Sequence, residues 1–469
     1  MKSESHKAKI PPVTLPPEDL LPLIREKWVE VDTAILIIHG VGHQHPLETL
    51  DGFSRGIIDT LGPDKLRLEH CLAKKEASDK NAPWFDNYLS IRRAGDTSDG
   101  KKIDIYEYYW APETEGQASF KDLERWVSGV TAGARKFYAN NQKLSEDNLD
   151  ESFFIHNGKF SPFNYWFCIY LIPAIIANLN FLGDFLLKLI YYIPIAGPIL
   201  SRLFKSQSEG PLERVSNLLN DIAIYNTTDA KSRFFRIRNC ILDGAVNSLR
   251  YLLEGKEDPS TGKLSFPYEK VLVCGHSLGS EIGFDAINRI NHLTNQQEIK
   301  GYDCLGICSD DPQNPVAISN RLCGFVTFGS PLDKVAFFFR NQAAENEWVR
   351  AQMLSHFHGF KQREWNGSER DTKILYRETR LFDEIPWRNY WDKKDYISGS
   401  LDYYKNLTNI DCSFKSGTFG FTHSDYWACT AMFADILDTI VFKQNSAADQ
   451  SMEIEIKQES VNRPVMSGN

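Results

Sequence analysis

The sequence predicts an α/β fold, in which a mostly parallel sheet is flanked by helices and an apolar helical insertion interrupts the chain. Two observations lead to this prediction. Short runs of apolar, β-branched residues stop at glycine or polar residues, as do strands that are buried on both faces of a parallel sheet. Segments with helical spacing of apolar residues alternate with these runs, and such alternation is typical of α/β proteins.

The elements are predicted in chain order from these patterns. A Pro-rich lead-in is followed by a short helix over residues 20–28. Buried strands are expected at 33–39, 103–110, 268–274 and 322–328, and helices at 232–253, 277–290 and 428–442. The domain organisation we expect is a lead-in (1–30), a catalytic domain in two pieces (31–159 and 206–444), the apolar insertion (160–205) and a polar flexible tail (445–469).

The composition is that of an ordinary globular protein. Hydrophobic residues make up 42% and charged residues 25% of the 469 residues. The net charge of -9, without a long Lys/Arg run, argues against a nucleic-acid surface. The nine cysteines lack a zinc-type spacing, which favours free thiols in a reducing compartment. Because the polar N-terminus lacks the apolar core of a secretory signal, we expect an intracellular protein.

The insertion is exceptionally apolar. Phe163 to Gly183 is a run of 21 residues without a charge, long enough to cross a bilayer, but the next run, Leu189 to Ser201, has only 13 residues and is broken by proline and glycine. If His39 and Ser277 share one domain, the chain between them crosses a membrane twice or not at all. Three interpretations of the insertion remain open: a hairpin attached to a membrane surface, a buried cap over the site, and a hairpin that spans the membrane twice. Either of the first two would offer an apolar wall to a substrate.

The strongest chemical signal is Gly275-His-Ser-Leu-Gly279, which joins an apolar strand to a predicted helix. A serine on such a tight turn takes a strained backbone conformation, and side chains at the flanking glycine positions would collide with it. The turn also lies at a helix N-terminus, whose partial positive charge favours a developing oxyanion. We therefore predict that Ser277 is a nucleophile. A glycine-rich turn with an incidental serine is the alternative.

This motif, together with His39-Gly-Val-Gly42 and Phe328-Gly-Ser-Pro331, resembles the α/β-hydrolase superfamily, especially its lipase-like and esterase-like members. The resemblance covers much of the chain outside the insertion. It implies an α/β-hydrolase fold and an oxyanion hole formed by the backbone N–H of Leu278 and that of Val41 or Gly40. The loop at 39–42 departs from the longer His-Gly-Gly-Gly form, which leaves the choice between Val41 and Gly40 open.

A serine nucleophile needs a general base, and neutral imidazole suits that task near physiological pH. The resemblance implies the chain order Ser, Asp or Glu, then His. His423 lies just before the last predicted helix, where the resemblance places the catalytic histidine. The other downstream histidines are His292, His356 and His358, and their surroundings suit the role less well.

Three aspartates compete for the role of the acid. Asp395 lies in a charged turn after the aromatic strand Trp387–Trp391, and this setting resembles the acid-bearing loop of lipase-like proteins. Its neighbour Asp392 and the more distant Asp333 remain as alternatives. Asp395 is the predicted acid.

Three other polar residues are predicted not to be catalytic or metal-binding. His43 and His45 follow the oxyanion loop without an acidic or thiol partner at a metal-ligand spacing, so they are predicted to line a pocket or to lie on the surface. We call the turn Gly275-His-Ser-Leu-Gly279 the elbow and the helix predicted after it the elbow helix. Asp285 lies on this helix and is expected to form structural hydrogen bonds.

The resemblance implies a serine hydrolase that forms an acyl-enzyme on Ser277, without a metal or cofactor. The apolar insertion favours a lipid-like ester as substrate. An acyltransferase with the same triad, or a silent scaffold that binds a membrane or a partner protein, would also fit these residues.

Overall fold

The computed structural model describes residues 13–16, 20–41, 45–73, 87–96, 100–117, 155–156, 159–160, 221–226, 231–303, 306–307, 316–333, 347–360, 374–378, 380–395, 397–402, 404–415 and 422–443. For 155–156 and 159–160 it describes the backbone alone. The predicted insertion, apart from Phe160, and the predicted tail lie outside these residues. Within these ranges no helix combines the length and the apolar character needed to cross a bilayer.

The described strands fall into one large sheet and two small hairpins. They are β1 (Val13–Thr14), β2 (Thr33–Ile38), β3 (Leu66–Leu72), β4 (Asn87–Arg93), β5 (Lys102–Tyr108), β6 (Ile155–His156), β7 (Lys159–Phe160), β8 (Lys256–Glu257), β9 (Leu264–Ser265), β10 (Lys270–His276), β11 (Leu322–Phe328), β12 (Trp387–Trp391) and β13 (Leu407–Asp411). Nine of them form the sheet in the order β1-β13-β12-β11-β10-β2-β5-β4-β3, and β6-β7 and β8-β9 are the hairpins. In this sheet β4 alone runs antiparallel to the other strands.

Helices cover both faces of the sheet. They are α1 (Leu20–Ile24), α2 (Glu48–Leu61), α3 (Arg233–Leu253), α4 (Leu278–Asn295), α5 (Ile318–Arg321), α6 (Trp348–His358), α7 (Leu381–Glu384) and α8 (Thr430–Ile436). Side chains of α3 and α4 belong to the hydrophobic core on one face, and those of α1, α2 and α8 to the core on the other. The protein therefore has three layers, and the predicted α/β class with a mostly parallel, helix-flanked sheet is confirmed.

The strand β2 is buried on both faces of the sheet, which explains its unbroken run of apolar residues. All six of its residues are buried; Leu36 and Ile38 point into the core beside α3 and α4, and Ile35 and Ile37 into the opposite core. Successive side chains of a strand point to opposite faces, so a strand between two helical layers needs apolar residues at every position.

The predicted helix over 428–442 is wrong as a single α-helix. Residues Thr422–Ala428 form a 3-10 helix, α8 ends at Ile436, and Leu437–Val441 continue as a π-helix. In the π-helical segment the Phe442 N–H donates to the Leu437 carbonyl oxygen, five residues earlier, at 2.8 Å. His423 consequently lies in a short helix instead of the predicted loop.

Other predicted boundaries also move, and the strand predicted at 268–274 is β10, Lys270–His276. The first helix ends at Ile24 instead of residue 28, and the strand at 103–110 ends at Tyr108. The elbow helix α4 extends to Asn295, five residues beyond the prediction. The hairpin of β3 and β4 was missed, because its partly exposed positions at the sheet edge do not form the unbroken apolar runs used to find buried strands.

The order of the strands defines where a ligand can bind. After β2 the chain builds β3, β4 and β5 on one side of the sheet, and after β10 it builds β11, β12 and β13 on the other. Because β2 and β10 are neighbours, the crevice beyond their carboxyl ends is a topological switch point, where α/β proteins bind ligands. The described residues that follow these two strands begin with His39 and Ser277.

Candidate active site

Ser277 is the residue between β10 and α4, and its backbone conformation is strained. Its φ is 52° and its ψ is −128°, a combination that residues other than glycine rarely adopt. Two backbone hydrogen bonds hold it there. The Ser277 N–H donates to the Phe328 carbonyl at 3.1 Å, and the Ser280 N–H donates to the Ser277 carbonyl at 2.9 Å. This is the sharp strand-to-helix turn that the motif predicts.

The two glycines of the motif are required by close contacts. A Cβ on Gly275 would lie 2.5 Å from the Ser280 Cα, and a Cβ on Gly279 would overlap the carbonyl oxygen of Ile38. Any side chain at these positions would push α4 away from β2 and β10 and would open the turn that presents Ser277.

His423 is hydrogen bonded to Asp395. Its Nδ1 lies 2.9 Å from Asp395 Oδ2, although 28 positions separate the two residues. Asp395 follows β12 and is buried. Its Oδ2 also accepts the hydroxyl of Tyr426 at 3.1 Å, and its Oδ1 accepts the backbone N–H of Ile397 at 3.0 Å. Burial by itself raises the pKa of Asp395, but the hydrogen bond and charge of His423 outweigh it and lower this pKa to about 2.

The other two candidate acids have different surroundings. The carboxylate of Asp392 accepts the backbone N–H of Lys394 at 2.8 Å and that of Phe414 at 2.7 Å, so it holds together two loops. Asp333 lies directly against Gly399, where a Cβ would overlap its carboxylate. Of the three aspartates, Asp395 is the one that is hydrogen bonded to His423.

The imidazole of His423 lies beside the elbow. It contacts Gly329, since a Cβ on Gly329 would be 2.9 Å from His423 Cε1. The residue before Gly329, Phe328, is bound to the elbow, because its carbonyl accepts the Ser277 N–H. Among the described residues, no hydrogen bond joins the Ser277 hydroxyl to His423. Hydrogen bonds between base and nucleophile are often long without substrate and tighten when it binds.

His276, which was not among the predicted site residues, directly precedes Ser277 and contacts His423. Its Nε2 lies 3.3 Å from the carbonyl oxygen of His423, so Nε2 carries a proton and donates it. Its ring centroid lies 4.8 Å from those of both His423 and Trp427. Burial lowers the pKa of His276 to about 3, so the ring is neutral at neutral pH. Its position directly before Ser277 was the available signal.

Tyr426 is the second residue that sequence reasoning missed. Its hydroxyl donates to Asp395 Oδ2 and lies 3.0 Å from the Ser398 hydroxyl, and its ring is completely buried. The ring packs edge-on against Phe414. The position of Tyr426 three residues after His423, in the same 3-10 helix, was the signal that could have identified it.

The predicted oxyanion residues surround Ser277. Leu278 is the first residue of α4, where backbone N–H groups lack a partner within the helix. Gly40 and Val41 follow β2. A Cβ on Gly40 would lie 2.6 Å from the Ser277 Cβ, which makes this loop the nearest neighbour of the nucleophile on the β2 side.

The remaining sequence candidates lie elsewhere. His292 is exposed on α4, and His356 and His358 lie in the last turn of α6. His43 lies outside the described residues, and the backbone N–H of His45 donates to Glu48. In the part of the chain that the structure describes, no three side chains form a cluster suited to a metal ion.

Two carboxylates lie on α4, of which Glu281 is buried and Asp285 is half-buried. Asp285 accepts the Tyr225 hydroxyl at 3.0 Å and Arg238 at 2.8 Å, in agreement with the structural role predicted for it. Glu281 accepts Asn226 at 3.2 Å, and burial raises its pKa to about 8. Glu281 is therefore mostly protonated at neutral pH.

No family model, curated protein or solved structure matches this chain.

Proposed function

We propose that this protein is a serine hydrolase of the α/β-hydrolase type that cleaves carboxylic esters. The observation that supports this proposal best is the hydrogen bond of 2.9 Å between His423 Nδ1 and Asp395 Oδ2 beside the strained turn of Ser277. A carboxylate that accepts the Nδ1 proton keeps Nε2 unprotonated, and Nε2 is then the nitrogen that can take the proton of Ser277.

The reaction would proceed in two halves. Ser277 Oγ attacks the ester carbonyl carbon while His423 Nε2 takes the hydroxyl proton. The negative oxygen of the tetrahedral intermediate accepts the N–H groups of Leu278 and of Val41 or Gly40. The intermediate collapses, the C–O bond to the alcohol breaks, and His423 returns the proton to the leaving alcohol. In the second half, water attacks the acyl carbon while His423 takes its proton, the bond to Ser277 Oγ breaks to release the acid, and His423 returns the proton to Ser277.

The proposed substrate is a lipid-like ester. This choice depends on the 21 uncharged residues of Phe163 to Gly183, which lie outside the described residues. The same segment supports the proposal of an intracellular protein attached to a membrane surface. No residue of the proposed mechanism requires a metal or a cofactor.

A fluorophosphonate probe tests this function on the full chain. We expect the wild-type protein to be labelled and Ser277→Ala to remain unlabelled. The matched control is Ser248→Ala, which removes another buried serine hydroxyl, on α3, and should be labelled like the wild type. A folded wild-type protein that the probe does not label would be a silent scaffold, and the proposal would be wrong.

Substrate class is tested separately. Hydrolysis rates on p-nitrophenyl esters of increasing acyl length should rise toward the longer chains if the substrate is lipid-like. Mass analysis of products with an added alcohol distinguishes the two reactions of an acyl-enzyme: free acid as the main product supports a hydrolase, and a new ester as the main product would show an acyltransferase.

A further inference from the structure

We infer that His39 is a positioning residue that aims the backbone N–H of Val41 toward the oxyanion formed at Ser277. The inference depends on the proposed function, because it assigns the second donor of the same oxyanion hole. It chooses Val41 over Gly40.

The hydrogen bonds of the His39 ring identify its tautomer. Nε2 lies 3.0 Å from the backbone nitrogen of Trp110 and 3.2 Å from that of Ala111. Both of these groups are N–H donors, so Nε2 is the acceptor and carries no hydrogen. In the neutral ring the proton is therefore on Nδ1, which donates to the carbonyl oxygen of Gly40 at 2.7 Å.

This hydrogen bond orients the peptide group between Gly40 and Val41. In a trans peptide the N–H points opposite to the C=O. The Gly40 carbonyl points to the His39 ring, which stacks on the indole of Trp110 just after β5. Because β2 lies between β5 and β10, the Val41 N–H points away from β5, toward the side on which Ser277 lies.

The ring that holds this peptide is itself firmly held. His39 is completely buried, and its centroid lies 4.7 Å from that of Trp110 with the planes nearly parallel, at 6°. The Trp110 indole N–H donates to the His39 carbonyl at 2.9 Å. Burial lowers the pKa of His39 to about 4, so the neutral ring that accepts at Nε2 is the form present at neutral pH.

An oxyanion donor must be aligned before the charge develops, because reorienting a peptide during the reaction would cost part of its stabilising effect. The His39 ring supplies this alignment without touching the substrate. Its removal should therefore affect the transition state much more than substrate binding.

Two variants and a control test the inference. His39→Phe keeps an aromatic ring over Trp110 but removes both nitrogens, and His39→Gln keeps a donor and an acceptor. Tyr108→Phe is the control, since it removes an equally buried hydrogen bond on β5, from its hydroxyl to the Ile241 carbonyl at 2.7 Å. Steady-state rates with p-nitrophenyl butyrate are measured for each variant.

We expect kcat of His39→Phe to fall about 100-fold with KM within about twofold. His39→Gln should recover a measurable part of the loss, and Tyr108→Phe should keep a kcat close to that of the wild type. A folded His39→Phe variant with wild-type kcat would overturn the inference but would leave the serine hydrolase proposal intact. Failure of the wild type to react with fluorophosphonate would instead overturn the proposed function, and the inference with it.

Nitrogen-15 NMR tests the geometry without any variant. The His39 imidazole should show a protonated Nδ1 and an unprotonated Nε2. After reaction of Ser277 with a phosphonate, the Val41 amide proton should shift downfield. A protonated Nε2 in the free protein, or an unchanged Val41 amide in the phosphonate adduct, would overturn the inference even if His39→Phe failed to fold.

Discussion

Gly40 lies directly against Ser277, so that a Cβ atom on Gly40 would be only 2.6 Å from the Cβ of Ser277. This contact joins the loop after β2 to the turn after β10. The two strands are neighbours in the sheet, with Ile37 opposite Cys274 in the register. The backbone of the loop after β2 can approach Ser277 this closely only because Gly40 has no side chain.

Gly40→Ala should therefore disable the site. The added methyl group must displace either Ser277 or the loop, and we expect the rate of fluorophosphonate labelling to fall about 100-fold. Gly52→Ala is the matched control, because a Cβ there meets its nearest atom, in the Trp427 ring, at an ordinary 3.4 Å. Gly52→Ala should be labelled like the wild type. Wild-type labelling of Gly40→Ala would contradict the contact.

Asp395→Asn should lower kcat strongly while the protein remains folded. An amide at this position can donate to His423 Nδ1 and so favours the wrong tautomer, in which Nε2 is protonated. For a working triad the expected loss in kcat is about 10⁴-fold.

Asp392→Asn provides the comparison, as Asp392 accepts backbone N–H groups of Lys394 and Phe414. We expect it to lower the melting temperature and to leave kcat within about tenfold of the wild type. If Asp392→Asn lost more activity than Asp395→Asn, the acid would be misassigned.

Tyr426→Phe should reduce kcat moderately. The change removes one of the donors to Asp395 Oδ2 and keeps the packing of the ring. A hydrogen bond to a charged group contributes roughly 1.5 kcal/mol to stability. Because its loss lets Asp395 turn away from His423, we expect kcat to fall about tenfold.

Tyr390→Phe is the control for this effect. It removes another buried tyrosine hydroxyl, which donates to Asp435 at 2.6 Å. Both variants should be destabilised, but we expect the tenfold loss of kcat only in Tyr426→Phe. Equal kcat losses in the two would indicate a general effect of lost stability.

Glu281→Gln should stabilise the protein at alkaline pH. Burial raises the pKa of Glu281 from its ordinary value of 4.5 to about 8. Between these values the unfolded chain releases the proton and the folded chain keeps it, so the wild type loses stability as the pH rises through this window. Glutamine cannot ionise, and its amide oxygen can still accept the hydrogen bond from Asn226.

The expected signature is a difference in the free energy of unfolding that grows with pH. Below about pH 4.5 the wild type and Glu281→Gln should differ little, and above about pH 8 the variant should be more stable by up to about 5 kcal/mol. Urea unfolding at several pH values measures this difference. Glu298→Gln, which changes an exposed glutamate after α4, controls for the loss of one carboxylate. A difference that shrinks as the pH rises would contradict the prediction.

Much of the scaffold around the site was predictable because its causes are local. The strands β2 and β10 follow from uninterrupted apolar residues, and the elbow follows from glycines at 275 and 279. Errors arose where the helix type changes within one apolar segment, as between Ile436 and Leu437, or where the strands are partly exposed, as in β3 and β4. Periodicity carries no signal for either effect.

The choice of acid shows the limit of local reasoning. Asp395, Asp392 and Asp333 all follow strands or strand-like segments, and Asp395 was predicted because its turn resembles the acid-bearing loop of lipase-like proteins. The local sequence does not say which of the three lies beside His423, which comes from a distant part of the chain; in the structure it is Asp395. Proximity of this kind depends on how β12 and the 3-10 helix at Thr422–Ala428 pack, which no short window of sequence encodes.

Residue types and their spacing were thus sufficient to establish an α/β chain with a serine on a tight turn, since backbone sterics and hydrophobic burial act over a few residues. The resemblance predicted His423 and Asp395 as base and acid, but the tertiary structure decided their contact, added His276 and Tyr426 to that pair, and directed the carbonyl of Gly40 to the ring of His39. Hydrogen bonds act over about 3 Å, so a contact between residues that are far apart in the chain is established only once the chain has folded.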